Sequence, residues 1–216
     1  EWGSKKYLVA SLDQSLKRMK LDYVDIFYSH RFDPLTPLEE TADALAQSIR
    51  SGKALYVGIS SYSSKQTIKM NKLLNERGIR CLIHQPSYSM INRWVEKDLL
   101  STLRKLGIGC IAFSPLAQGM LSDKYLKTIP KNSRISDNSS LDKKMITKSY
   151  IYKINELTKI AKKRNQTLPQ MAISWVLRHK NMTSALIGAR TVKQLDECVD
   201  SQNNMTFSSK EIKEIN

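Results

Sequence analysis

The feature that most restricts this chain is a rhythm: segments with helical spacing alternate with short apolar runs, five times over. From Lys5 to Met19, the residues Leu8, Leu12, Leu16 and Met19 fall on one helical face. The stretch YVDIFYSHR, Tyr23 to Arg31, then reads as a short buried strand that ends on His30, with Pro34 and Pro37 preventing continuation. Thr36 and Pro37, followed by Glu39 and Glu40, open a helix whose buried face is Leu38, Ala42, Leu45 and Ile49 and which stops at Gly52. Further strands are expected at Ala54–Ser60, Cys81–Ser89, Gly109–Leu116 and Ser184–Arg190. The helices between them run through Ile68, Leu73 and Leu74 to near Gly78, through Leu99 to Leu106 before Gly107, over Tyr152–Lys163 and Leu168–Arg178, and from Val192 to Val199.

Such alternation demands a parallel sheet, because each right-handed crossover returns the chain in the same direction. An open doubly wound sheet and a (β/α)8 TIM barrel both fit, although five strands are few for a barrel. No G-x-G-x-x-G follows any strand, which counts against a dinucleotide-binding Rossmann sheet. The rhythm breaks between residues 118 and 149, a segment rich in lysine, serine and asparagine and too long for an ordinary connection, so a working loop is expected there.

Composition narrows the function. The 216 residues, 41% of them hydrophobic, suffice for a real core. A net charge of +15 raises nucleic acid as a partner, but the lysines are scattered over Lys17, Lys65, Lys72, Lys105, Lys162, Lys163 and Lys213 with no recognition motif. Solvated helix faces are the better reading, with part of the excess available to attract a phosphorylated ligand. Cys81, Cys110 and Cys198 are odd in number and far apart, which fits reduced core thiols of a cytoplasmic protein and offers no metal spacing. No apolar run is long enough for a membrane span, and EWGSKKYL lacks a signal-peptide core.

Chemistry collects at the strand ends: His30; Ser60 with Ser61; Gln85; Phe113 with Ser114 and Pro115; Gly188 with Arg190. In a barrel these tips converge on one mouth, where a flat ring can stack on Phe113 while Ser60, Ser61 and Gln85 hydrogen-bond an amide. That is the shape of a nicotinamide site.

The blocks SLDQSLKRMKLDYVDIFYSHR, GKALYVGISSYS, IHQPSYSMINRW, AFSPLAQGMLSDKY and IGARTVKQL, in this order, resemble the aldo-keto reductases. They are most similar to the branch holding bacterial L-glyceraldehyde 3-phosphate reductases and potassium-channel beta subunits, and nearer to the former, since the channel subunits carry asparagine where this chain has His30. The resemblance implies a (β/α)8 barrel of which this chain forms about the last five βα units. It further implies NADPH (or NADP+) bound across the barrel mouth, and hydride reduction of a small aldehyde of the glyceraldehyde 3-phosphate or methylglyoxal kind.

By the same resemblance His30 is the catalytic histidine that polarises the substrate carbonyl. Ser60, with Ser61 beside it, and Gln85 hold the carboxamide, and Phe113 stacks on the nicotinamide. Ser114, Pro115, Leu116, Gln118 and Lys124 run along the pyrophosphate. Arg134, Gly188, Arg190, Gln194 and Glu197 meet the adenosine half, where guanidinium groups favour a 2′-phosphate and hence NADPH. Arg31, Asn92, Arg93 and Trp94 are candidates for touching substrate. Relatives in this branch often form tetramers or larger rings, so the resemblance leaves a homo-oligomer open.

Two departures bear on cofactor grip: Ser61 and Cys198 stand where relatives often have asparagine. A larger one concerns the catalytic tetrad, whose aspartate, tyrosine and lysine come, in the family, from units preceding the helix that opens this chain. The chain starts at Glu1 rather than methionine and is expected to be a piece of a longer reductase. The competing expectation is an inactive NADP(H)-binding fragment, or a cofactor-sensing subunit like the channel betas.

Overall fold

A computed structural model describes residues 2–126, 131 and 142–216. Its strands are β1 (Val24–Ser29), β2 (Ala54–Ser60), β3 (Cys81–Gln85), β4 (Gly109–Phe113) and β5 (Met182–Leu186), ordered in the sheet as in the chain. The helices are α1 (Lys5–Met19), α2 (Leu38–Arg50), α3 (Ser64–Glu76), α4 (Leu99–Leu106), α5 (Lys148–Lys163), α6 (Leu168–Leu177), α7 (Val192–Val199) and α8 (Ser209–Ile215). The chain forms two compact units: residues 1–86 with 95–111, and residues 87–94 with 112–216.

In the first unit β1, β2, β3 and β4 pair in parallel, with Ser29 opposite Ile59, Ser60 opposite Gln85 and His84 opposite Cys110. Helix boundaries follow the local chemistry. Ser4 caps α1 through Tyr7 N–H, Ser63 and Gln66 form a reciprocal capping box on α3, and Gly107 takes the left-handed conformation that ends α4. The core gathers Leu45, Val57, Ile59, Met70 and Leu74, all essentially inaccessible. Asp33, three residues beyond His30, accepts from Gly3 N–H at 2.9 Å, Leu35 N–H at 3.0 Å and Thr36 Oγ1 at 2.9 Å. These donors, led by Gly3 N–H, hold its carboxyl well below the usual carboxylate range. A Cβ on Gly3 would lie 2.7 Å from the Asp33 side chain, so only glycine allows this approach.

In the second unit Trp175, Tyr88, Leu121, Ile154 and Met171 are fully buried. Thr167 and Gln170 box the start of α6, with Pro169 in its first turn. Arg164, at the end of α5, is also buried. It donates to Glu211 Oε1 at 2.6 Å, Gln166 Oε1 at 2.9 Å, Thr206 O at 2.9 Å and Asn204 O at 3.1 Å, and its guanidinium lies 3.7 Å from the centre of the Phe207 ring.

Several boundaries differ from those the sequence predicts. β1 is not a buried strand: only Ser29 is buried, because β1 pairs on one side only and lies at the sheet edge. β3 stops at Gln85, and Ser87 and Ser89 make isolated bridges to Phe113 and Asn92. β4 ends at Phe113 because Ser114 turns to a φ of 54°. β5 lies two residues earlier at its start than Ser184 and four earlier at its end than Arg190, which leaves Ile187 to Arg190 outside the ladder. α5 begins at Lys148, capped by Thr147, rather than at Tyr152. Within 118–149, residues 127–130 and 132–141 lie outside the described part, and the remainder holds short 3-10 turns. The three cysteines form no disulfide and are buried, and burial pushes Cys81 and Cys110 up to about 12.

Candidate active site

The first unit carries a cluster at the tips of β1, β2 and β3. His30 follows the last residue of β1 and is exposed, as is Arg31 beside it. Ser60 is buried, and its Oγ donates to Gln85 O at 2.7 Å, while Ser61 N–H donates to the same carbonyl at 3.3 Å. The two serine hydroxyls are 3.4 Å apart. Ser61 holds a φ of 58°, a left-handed conformation that costs a non-glycine residue about 1 kcal/mol and is typical of functional turns. Ser60, Ser61 and Gln85, expected to share one task, are therefore brought together. Burial raises the Tyr28 hydroxyl above its ordinary value, with the hydrogen bond to the Gln85 side chain opposing it.

The second unit carries a pocket of about 450 Å³, within the range of small-molecule sites. Beyond β4, Ser114, Ala117 and Gln118 all have positive φ, as does Gly119 at 94°. Tight turns follow, with Ala117 N–H donating to Ser114 O at 2.8 Å and Gly119 N–H to Leu116 O at 2.9 Å. Successive left-handed residues of this kind make a concave run of backbone suited to anions. The pocket is lined by Phe113, Ser114, Pro115, Leu116, Gln118, Lys124, Gly188, Arg190, Gln194 and Glu197, each of them expected from the sequence. Gln194 Oε1 accepts from Arg190 N–H at 2.8 Å, and Gln194 N–H donates to Thr191 Oγ1 at 3.2 Å, which fixes the start of α7 against this wall.

The lining also includes Gly119, Ser122, Pro169, Leu186 and Ile187, which sequence reasoning passes over, and Cys198, noted there only as a departure. Ser122 sits between two predicted residues and was open to inference; Pro169 arrives from α6, and nothing local marks it. Burial pushes the Cys198 thiol up, with Glu197 adding to the effect. The donor set suits a phosphorylated, partly aromatic ligand: one ammonium (Lys124), one guanidinium (Arg190), hydroxyls, a carboxylate and the flat face of Phe113. No side-chain atom would crowd a Cβ at Gly119 or Gly188, so both leave open space at the pocket.

Other candidates are placed elsewhere. Asn92 Nδ2 donates to Ser87 Oγ at 3.0 Å, Trp94 Nε1 to Ser87 O at 2.9 Å, and Arg93 to Asn216 Oδ1 at 2.7 Å with its guanidinium 5.0 Å from the Trp175 ring. Asn92 and Trp94 brace their own loop, Arg93 ties it to Asn216 and Trp175, and none of the three lines the pocket. Arg134 lies outside the described residues. Among the described residues no cluster of histidine, cysteine or carboxylate side chains can hold a metal, and no helix is long and apolar enough to cross a membrane.

Parallel strands with helical crossovers, tipped by histidine, serine and glutamine, define an α/β protein of the kind expected from part of a (β/α)8 barrel. The family model described as "Aldo/keto reductase family" matches residues 1–216, and the chain belongs to that family. It is 56% identical to the L-glyceraldehyde 3-phosphate reductase of Escherichia coli over 99% of this chain and 63% of that protein. It is 35% identical to a probable voltage-gated potassium channel subunit beta of Oryza sativa subsp. japonica, over 90% of this chain and 61% of the relative. A putative subunit of the same kind from Schizosaccharomyces pombe is 34% identical over 91% of this chain and 59% of its own length. The chain thus spans about three fifths of the curated relatives it matches.

Proposed function

We propose that this chain is the cofactor-binding part of a cytoplasmic, NADPH-dependent reductase of small aldehydes, with glyceraldehyde 3-phosphate the substrate type to try first. The observation that carries the reading is the second unit's pocket, where a strained backbone run, two cationic side chains and an aromatic wall occur in one cavity. NADPH, when bound, supplies the hydride. Lys124 and the backbone from Ser114 to Gly119 meet its phosphates, Arg190 and Glu197 meet the adenosine end, and Phe113 gives the nicotinamide a flat face. Within the first unit, Ser60, Ser61 and Gln85 offer hydrogen-bonding groups of the kind a carboxamide takes, ordered around the Gln85 carbonyl.

His30 donates a hydrogen bond to the substrate carbonyl, which polarises the carbon for attack. The alkoxide that hydride addition leaves is protonated by an acidic side chain of the complete reductase. The relative at 56% identity, an L-glyceraldehyde 3-phosphate reductase, supports the substrate class.

The test has two arms. Purified residues 1–216 are expected to quench or enhance NADPH fluorescence on binding while reducing no aldehyde above background; a steady-state rate from this chain alone would refute the division of labour. The protein translated from the complete reading frame is expected to oxidise NADPH with glyceraldehyde 3-phosphate. Binding without turnover there would favour a cofactor-sensing role over catalysis; potassium channel beta subunits are among the relatives.

A further inference from the structure

The parallel ladder of the first unit ends at Ser29–Ile59 and Ser60–Gln85, so His30 and Ser61 stand just beyond the last backbone pairs that fix them. Ser61 N–H still reaches Gln85 O, and one residue, Tyr62, touches the chain beside His30 with its side chain and the chain beside Gln85 with its backbone carbonyl. Tyr62 is fully buried in the turn between β2 and α3. Its hydroxyl lies 2.8 Å from Ser29 Oγ, on the residue before His30. Its ring meets Phe32, two residues after His30, edge-on at 5.7 Å. Its carbonyl accepts from His84 Nε2–H at 3.1 Å, on the residue before Gln85.

A phenylalanine would fill the same volume, so the hydroxyl needs its own explanation. Burying a phenol and a serine hydroxyl against each other adds little net stability over an apolar pair, but it fixes direction and distance between two chain segments. The neighbouring Ser61 is held left-handed at a φ of 58°, with Ser60 Oγ and Ser61 N–H both bound to Gln85 O. A strained turn persists only where its surroundings over-determine it, and the buried Tyr62 anchor does so from one side while Gln85 does so from the other. His84, bound through Nε2, leaves Nδ1 as a buried acceptor without a partner, so its ring too is oriented at a cost.

We infer that Tyr62 is a positioning residue: through Ser29 and Phe32 it aims His30, and through its carbonyl and His84 it sets the Ser60–Ser61 turn. The inference rests on the reductase reading above.

The test uses the full-length protein and removes each hydroxyl, Tyr62→Phe and Ser29→Ala, singly and together. Each single variant is expected to lower kcat about tenfold or more, since small misplacements of an orienting group are costly. The KM for aldehyde and the Kd for NADPH should stay within about twofold. The double variant should be no slower than the slower single one, because both substitutions delete the same bond. Thermal midpoints measured alongside separate aim from bulk stability. Wild-type turnover with unaffected kcat in both single variants, or losses that add in the double one, overturns the inference alone. A wild-type protein that binds NADPH but never turns over overturns the reductase reading, and the inference with it. Should Tyr62→Phe fail to fold by circular dichroism, Ser29→Ala decides the question.

Discussion

The two units solve different problems with different materials. In the first, the polar groups sit on strand ends whose separations are fixed by parallel pairing and by short buried hydrogen bonds such as Ser60 Oγ to Gln85 O. In the second, the pocket is made from irregular backbone after β4 and after β5, held by left-handed residues and by α7. The contrast teaches that orientation is entrusted to the sheet, where a shift disturbs a ladder, and capacity to loops, where a cavity can be shaped around a large ligand.

The comparison is open to breakage, starting with the largest expected effect. His30→Ala in the full-length protein should lower kcat by about 10²–10⁴-fold with NADPH affinity nearly unchanged, as steady-state rates and fluorescence titration would show. Equal losses in both quantities would erase the distinction between orienting and holding.

His84 tests the rigidity of the first unit. Burial lowers it from 6.5 to about 4, so the folded protein keeps it neutral where the unfolded chain is protonated. Its contribution is fully present above about pH 6.5 and is lost as the pH falls toward 4, up to about 3 kcal/mol. Urea midpoints at neutral and mildly acidic pH should therefore converge in His84→Gln, which keeps a donor for the Tyr62 carbonyl.

Arg190→Ala addresses the second unit. It should weaken NADPH binding about tenfold at low salt, weaken NADH binding less, and leave kcat at saturation unchanged. Smallest of all, Gly119→Ala forces a side chain into a φ of 94° and should cost about 1 kcal/mol in denaturant titration, because nothing crowds the new methyl.

The regular elements were legible because their information is local. The Leu8, Leu12, Leu16 spacing, the Ser63–Gln66 box and Gly107 each state a helix or its end within a few residues. The polar or aromatic character of the strand tips likewise marked Ser60, Gln85 and Phe113. What escaped depended on partners. Whether β1 is buried is decided by a neighbouring strand, not by its own β-branched residues. The SALIGAR run reads as one strand, yet Ile187 and Gly188 turn into the pocket wall. α8 is short and highly charged, so apolar periodicity missed it, although Ser208 and Glu211 spell out a capping box. The ties of Asn92 to Ser87 and of Arg93 to Asn216 are likewise visible only once the loop is folded.

The buried Arg164 has a consequence for turnover in the cell. One guanidinium holds the carbonyls of Asn204 and Thr206, the carboxylate of Glu211 and the face of Phe207, so a single side chain docks α8 and the segment leading into it against the end of α5. With Arg164 in place, Lys210 and Lys213 lie in a docked helix. Without it they become a foothold for proteases, and clipping around α8 would begin long before the sheet began to melt.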